Sequence, residues 1–156
     1  MTKRYSFLKK IALLSAVTAA LLTGCQKDTE SPAPASKTQL LTSDPWHITA
    51  YTRTTGSAAA VDYLPTAFPT ACERDDRYAF NTNGVQIRTE GPTACSGNTS
   101  QTVVGTYPYN MNSAQTQLTI GGTTFDIVTL TADAMQLRST RTSNGTTIVD
   151  NVTYAN

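Results

Sequence analysis

From residue 46 the chain alternates apolar and polar side chains with a period of two. Trp46, Ile48 and Ala50 interleave with His47, Thr49 and Tyr51, the pattern of a strand with one face buried. Three further stretches carry the same alternation on either side of a tight-turn dipeptide: Asn83-Gly84, Gly121-Gly122 and Asn144-Gly145. Two-residue hairpin turns need positive φ, which Gly and Asn supply at low cost. Each turn then predicts a register. Across 83–84, Phe80 faces Ile87, Tyr78 faces Thr89 and Arg77 faces Glu90. Across 121–122, Leu118 faces Phe125, and across 144–145 Leu137 faces Val152 and Met135 faces Tyr154. Every one of these registers puts apolar against apolar, so turn chemistry and alternation agree.

Thr102–Tyr109 reads as one more strand, bulged or at an edge near Pro108. About eight strands joined mostly by short turns predict an all-β, antiparallel up-and-down meander that closes into a small barrel or curls into a half-barrel. No segment after residue 40 shows a helical period, and no internal repeat is present. The connection from Arg53 to Ala71 is long and unusually apolar for a loop, with Tyr63, Leu64 and Phe68 in its second half. Two roles follow for it: a flap over the open end whose side chains touch a ligand, or a plug that fills the barrel.

The first 24 residues follow a different pattern. Lys3, Arg4, Lys9 and Lys10 precede an apolar run from Ile11 to Leu22, which is too short to span a bilayer core of about 30 Å. The run ends Leu22-Thr23-Gly24-Cys25. That order resembles a bacterial lipoprotein signal, which implies cleavage after residue 24 and acylation of Cys25. Several acyl chains there would anchor the protein stably, where one alone binds only marginally. Gln26-Lys27-Asp28-Thr29-Glu30 resembles a surface-export tag of Gram-negative lipoproteins, interrupted by Thr29, and reads equally as a polar spacer. Residues 25–38, with Ser31-Pro-Ala-Pro-Ala-Ser-Lys37, form a tether, and the folded domain is expected over 39–156. The expected location is the outer membrane, at the cell surface or on its periplasmic face.

Charge and cysteine content sharpen this division. The chain has 12 basic and 11 acidic residues, a net of +1, which speaks against a nucleic-acid binder. Without the signal and its four cations the balance becomes eight against 11, a net of −3. Roughly one residue in five is Thr, which favours strands and suits their outer faces. Of the three cysteines, Cys25 is assigned to lipid. Cys72 and Cys95 lie symmetrically about the 83–84 turn, and an oxidising compartment would join them in a disulfide. A Cys-ligated metal lacks further Cys or His nearby.

Several of these segments together resemble the lipocalin-like domain of small bacterial lipoproteins. They are Leu40-Leu41 through Trp46-His47-Ile48, Cys72-Glu73-Arg74-Asp75-Asp76-Arg77-Tyr78-Ala79-Phe80 with Asn83-Gly84, and Cys95 followed by Gly105-Thr106-Tyr107. Leu118-Thr119-Ile120 and Phe125–Leu130 extend the likeness over most of residues 40–154. The resemblance implies a small antiparallel barrel on a lipid anchor, with no catalytic residues to carry over.

Candidate chemistry is sparse. Glu73, Asp75 and Asp76, helped by Asp62 or Glu90, could offer oxygens to Ca²⁺, but Arg74 and Arg77 lie among them and local ion pairs explain the group as well. The single His47 falls on the wet face opposite Trp46, and no nucleophile motif accompanies the many Ser and Thr. Three Asn-x-Ser/Thr sequences, at Asn98, Asn144 and Asn151, are expected by chance in so Thr-rich a chain. The expectation is therefore a non-enzymatic binding protein without a cofactor. Its ligand would be a small apolar or amphipathic molecule touching Tyr63, Leu64, Phe68 and Trp46. The alternative is a scaffold for an envelope protein partner.

Overall fold

The computed structural model describes residues 34–156. The signal segment, Cys25 and the tether up to residue 33 lie outside the described residues. Nine strands form one antiparallel sheet in the order β2-β1-β9-β8-β7-β6-β5-β4-β3. In chain order they are β1 (His47–Thr55), β2 (Val61–Asp62), β3 (Arg77–Asn81), β4 (Val85–Thr89), β5 (Val103–Met111), β6 (Gln117–Ile120), β7 (Thr123–Leu130), β8 (Ala134–Ser143) and β9 (Thr146–Ala155). Eight of them are the strands the alternation predicts. The ninth, β2, is a two-residue strand inside the long connection.

The sheet curls until its ends nearly meet. Trp46 and Tyr78 form one antiparallel bridge, Trp46 N–H to Tyr78 O at 2.9 Å and Tyr78 N–H to Trp46 O at 2.8 Å. Beyond that point β1 pairs with β2 rather than β3, so the barrel is pinned at one place and not closed.

Two hairpins adopt the expected registers. Leu118 faces Phe125 across Gly121-Gly122, and Leu137 faces Val152 and Met135 faces Tyr154 across Asn144-Gly145. All four turn residues have positive φ. The third hairpin departs by one residue. Its loop is Thr82-Asn83-Gly84, closed by Gly84 N–H to Asn81 O at 3.0 Å, and only Gly84 (φ +81°) is left-handed. A three-residue loop ending in a left-handed glycine is the next commonest hairpin connection, and Asn-Gly fits it too. Tyr78 therefore faces Arg88, Phe80 faces Gln86 and Arg77 faces Thr89, and the expected pairings with Thr89, Ile87 and Glu90 are not made. A one-residue slip exchanges the faces of a strand. Gln86, Arg88 and Glu90 thus join Tyr78 and Phe80 on the inner side, and Gln86 and Glu90 are buried.

Three short helices were not visible as a period, because four to six residues are too few to show one. They are α1 (Lys37–Thr42), α2 (Leu64–Ala67) and α3 (Ala71–Arg74). Two carry a capping box, Ser36 with Gln39 and Thr70 with Glu73, in which side chain and backbone satisfy each other reciprocally. Helix α1 and its cap thus begin within the stretch read as tether. Lys37 donates through Nζ to Gln115 O at 2.8 Å, which fastens α1 to the β5–β6 turn.

At this end the core is packed. Leu41, Trp46, Leu118 and Leu137 have no exposed surface, and Met135, Phe80, Val152, Tyr154, Tyr78 and Ile48 surround them. Trp46 satisfies its indole N–H on Leu41 O at 3.0 Å, so its burial leaves no orphan donor. Phe80 meets Tyr109, and Tyr78 meets Tyr154, edge to face at centroid distances of 5.1 and 5.8 Å.

Cys72 and Cys95 form a disulfide with a Cα–Cα distance of 5.2 Å. It does not sit across an extended ladder. Cys72 lies on α3 and Cys95 in the β4–β5 loop, whose conformation Glu90 fixes by accepting from Cys95 N–H and Asn98 Nδ2. Replacing both cysteines by Ser should lower unfolding free energy by about 3 kcal/mol in the chain-entropy model, read as a shifted urea midpoint.

Candidate functional site

The long registers of β1, β9 and β8 stack inward-facing residues in rungs. The first rung is Ile48, Tyr154 and Met135, and the second is Tyr51, Val152 and Leu137. Next come Arg53, Asp150 and Ser139, and then Thr55, Ile148 and Arg141. A β-bulge between Ile48 and Ala50 brings Tyr51 and Arg53 onto this face. The interior thus passes from apolar, at the packed floor, to charged towards the β1–β2 and β8–β9 turns.

Asp150 is the centre of the charged rungs. It is 3% exposed and takes two guanidinium groups. Arg53 donates through Nε at 2.6 Å and Nη2 at 3.1 Å, and Arg141 donates through Nη1. Burial pushes the Asp150 carboxyl up, but the hydrogen bonds from Arg53 and Arg141 outweigh it and hold the group below its ordinary value. Arg53 Nη2 also donates to the Tyr51 hydroxyl at 3.2 Å.

Across the interior, Asp76 and Arg88 make a second ion pair, Arg88 Nε to Asp76 Oδ2 at 2.5 Å. Here burial dominates and the Asp76 carboxyl is pushed up against the pull of Arg88. Burial likewise pushes the Tyr78 phenol up to about 12. Neither Asp76 Oδ1 nor the Tyr78 hydroxyl has a partner among the described residues. Gly105 faces Arg88 from β5, and a Cβ there would come within 2.7 Å of the Tyr107 ring lying over it.

The segment Tyr63–Phe68 connects the two ion pairs. Its Tyr63 ring covers the Arg53 guanidinium at 3.6 Å and meets Tyr51 edge to face at 5.1 Å. Its Phe68 ring lies 5.0 Å from the Arg88 guanidinium. Leu64 and Phe68 pack against the core. The segment is held at both ends, by Tyr63 N–H to Tyr51 O at 2.7 Å and by Arg74, which donates to Phe68 O and Pro69 O. Tyr63, Leu64 and Phe68 are therefore brought together over the interior as one strap clasped by cation–π contacts. Trp46 is not part of this group, since it lies fully buried in the floor.

The acidic residues considered for a cation are dispersed. Glu73 accepts from Thr70 at the start of α3, Asp75 accepts from Thr93 N–H at 2.9 Å, and Asp76 holds Arg88. Asp62 caps Leu64 N–H and Glu90 holds the Cys95 loop. Among the described residues no group of three or more His, Cys, Asp or Glu is placed to hold a metal. His47 is half-buried away from these groups, and burial and the nearby Arg77 charge lower its pKa.

Arg53, Arg88, Arg141 and Asp150 were not singled out from sequence, because charged residues in an alternating strand are normally read as outward. The signal was nevertheless present for two of them. In a hairpin with a two-residue turn at 144–145, Arg141 and Asp150 share the face of Leu137 and Val152.

The described residues thus form a curled antiparallel meander with a packed floor and a strapped, charged mouth. The model of the lipocalin-like domain matches residues 44–137, and the chain belongs to that family. No curated protein matches the chain significantly. The family match ends before Arg141 and Asp150.

Asp150 gives the site a signed pH dependence. A carboxyl with a depressed folded pKa contributes stability above its unfolded value, about 3.9, and loses it as pH falls through the lower folded value. Asp76, with a raised pKa, acts oppositely and gains on acidification. Asp150→Asn should cost about 2 kcal/mol at pH 7, because Arg53 and Arg141 keep some solvent contact. It should also remove part of the acid-side loss, as measured by urea unfolding from pH 7 to pH 3.

Proposed function

We propose that the protein is a lipid-anchored lipocalin-like binding protein of the cell envelope that holds a small amphipathic molecule beneath the Tyr63–Phe68 strap. The observation that carries this reading is the graded interior. An apolar floor ends at Leu137 and Val152, and one rung further Arg53 and Asp150 begin a polar mouth. Such a gradient suits a ligand with one apolar and one polar end. The strap supplies the cover, with Tyr63 stacked on Arg53 and against Tyr51, Phe68 near Arg88, and Leu64 and Phe68 packed on the core.

The floor itself is filled by side chains, which favours a compact ligand at the mouth over one threaded through the barrel. Native mass spectrometry of gently extracted protein should show a retained small molecule. Its absence, with Tyr63→Ala unchanged in every ligand screen, would count against a binding role.

The envelope location rests on the basic, apolar, Leu-Thr-Gly-Cys order ending at Cys25. Cys25→Ser should abolish acyl labelling in cells and release the protein from membranes. Protease added to intact cells should remove the domain, and its survival would put it on the periplasmic face. A scaffold role draws support from a different feature. Val103, Val104 and Tyr107 are exposed on the half of β5 that β6 does not pair. One recurrent envelope protein in crosslinking, with no small molecule, would favour that reading.

A further inference from the structure

The geometry points to an anion subsite between Arg53 and Arg141, so that the molecule held at the mouth is a compact organic anion, an apolar body carrying one carboxylate or sulfonate. This inference rests on the binding role proposed above and specifies its ligand.

Charge stoichiometry is the first ground. Two guanidinium groups converge on one carboxylate, Asp150, leaving one positive charge uncompensated. The groups that act electrostatically on Arg53 are Asp150, Tyr51 and Tyr63, with no second carboxylate among them. Beside the Asp76–Arg88 pair the buried Glu90 carboxylate acts on Asp76, and neither Asp76 nor Glu90 is among the groups that act on Arg53.

Donor geometry is the second. Arg53 spends Nε and Nη2 on Asp150 and Tyr51, and Arg141 spends Nη1 on Asp150. Arg53 Nη1 and Arg141 Nε and Nη2 have no protein acceptor among the described residues. Tyr51 accepts from Arg53, which leaves its own proton free to donate. Burial and the neighbouring Asp150 charge raise its pKa, so the phenol keeps that proton at neutral pH. Asp150 fixes both guanidinium groups in place before any ligand arrives, which lowers the ordering cost of binding.

Environment is the third. The Tyr63 ring stacked on Arg53 shields that guanidinium from water on one face. An anion placed there meets charge-assisted donors that are only partly screened, which makes them worth more than at an open surface. One rung below, Tyr51 stands over the covered Val152 and Leu137, and with the half-buried Leu64 and Phe68 it offers a wall for an apolar body. The filled floor limits its depth, so a naphthalene-sized or medium-chain body fits better than a long straight chain.

The test uses two dyes that share one apolar skeleton, 8-anilinonaphthalene-1-sulfonate and neutral N-phenyl-1-naphthylamine. They are titrated by fluorescence into the full chain carrying Cys25→Ser, which keeps every barrel residue. The sulfonate should bind about tenfold more tightly, the discrimination expected of one charge-assisted contact. Arg141→Gln, at a side chain 47% exposed and outside the packed floor, should erase that difference and leave the neutral dye unchanged. Arg141→Lys should restore part of it, and octanoate should displace the sulfonate where 1-octanol does not. Equal binding of the two dyes, or an Arg141→Gln loss shared by both, overturns the anion subsite while the binding role stands. Failure of both dyes to bind overturns the binding role and the subsite with it.

Discussion

Two backbone hydrogen bonds between Trp46 and Tyr78 decide the form of the molecule. Without them β3 and β1 would be the distant ends of an open sheet. With them the start of β1 is brought beside β3, and the inner faces of β1 and β4 border one interior. A connection with only four helical residues in α2 can then reach from Arg53 to Arg88. The bridge holds because Trp46 is wholly buried and its indole N–H is satisfied by Leu41 O. The α1 turn that presents Leu41 is therefore part of the closure.

The two charged clusters follow from the same curl but behave differently. Asp150 is over-supplied with donors, and its carboxylate is stabilised. Asp76 has one arginine and an unpartnered oxygen, and its carboxylate is penalised by burial. One end of the strap thus rests on a cluster with surplus positive charge, and the other on a cluster where one arginine meets Asp76 with the buried Glu90 carboxylate close by. That asymmetry, more than the apolar content of residues 53–71, distinguishes the two ends of the strap.

Much of the sheet was legible in the sequence because a two-residue turn leaves no freedom of register. The Gly121-Gly122 and Asn144-Gly145 hairpins pair as their sequences dictate. Asn83-Gly84 is ambiguous in physical terms. The same dipeptide serves a two-residue turn or the end of a three-residue loop, and Ile87 drew the reading towards an apolar pairing that the protein does not make. The disulfide partners were legible, although the geometry that joins them depends on α3, whose only mark was the Thr70–Glu73 capping box. The strap residues Tyr63, Leu64 and Phe68 stood out as apolar side chains in a loop. Their arginine partners did not, since nothing in a local pattern marks a charged residue as inward until the strand across from it is known.

The β8–β9 hairpin has ten residues in each strand, and its register is set at Asn144-Gly145, far from the floor. Met135, Leu137, Val152 and Tyr154 belong to the part of it that holds the barrel together, while Ser139, Arg141, Ile148 and Asp150 belong to the part that faces the mouth. Apolar packing and charge are therefore separated along a single ribbon. Under the proposed binding role, exchanging residues on the distal half would retune the mouth while the proximal half keeps the fold, which makes this hairpin the natural place for ligand preference to diversify.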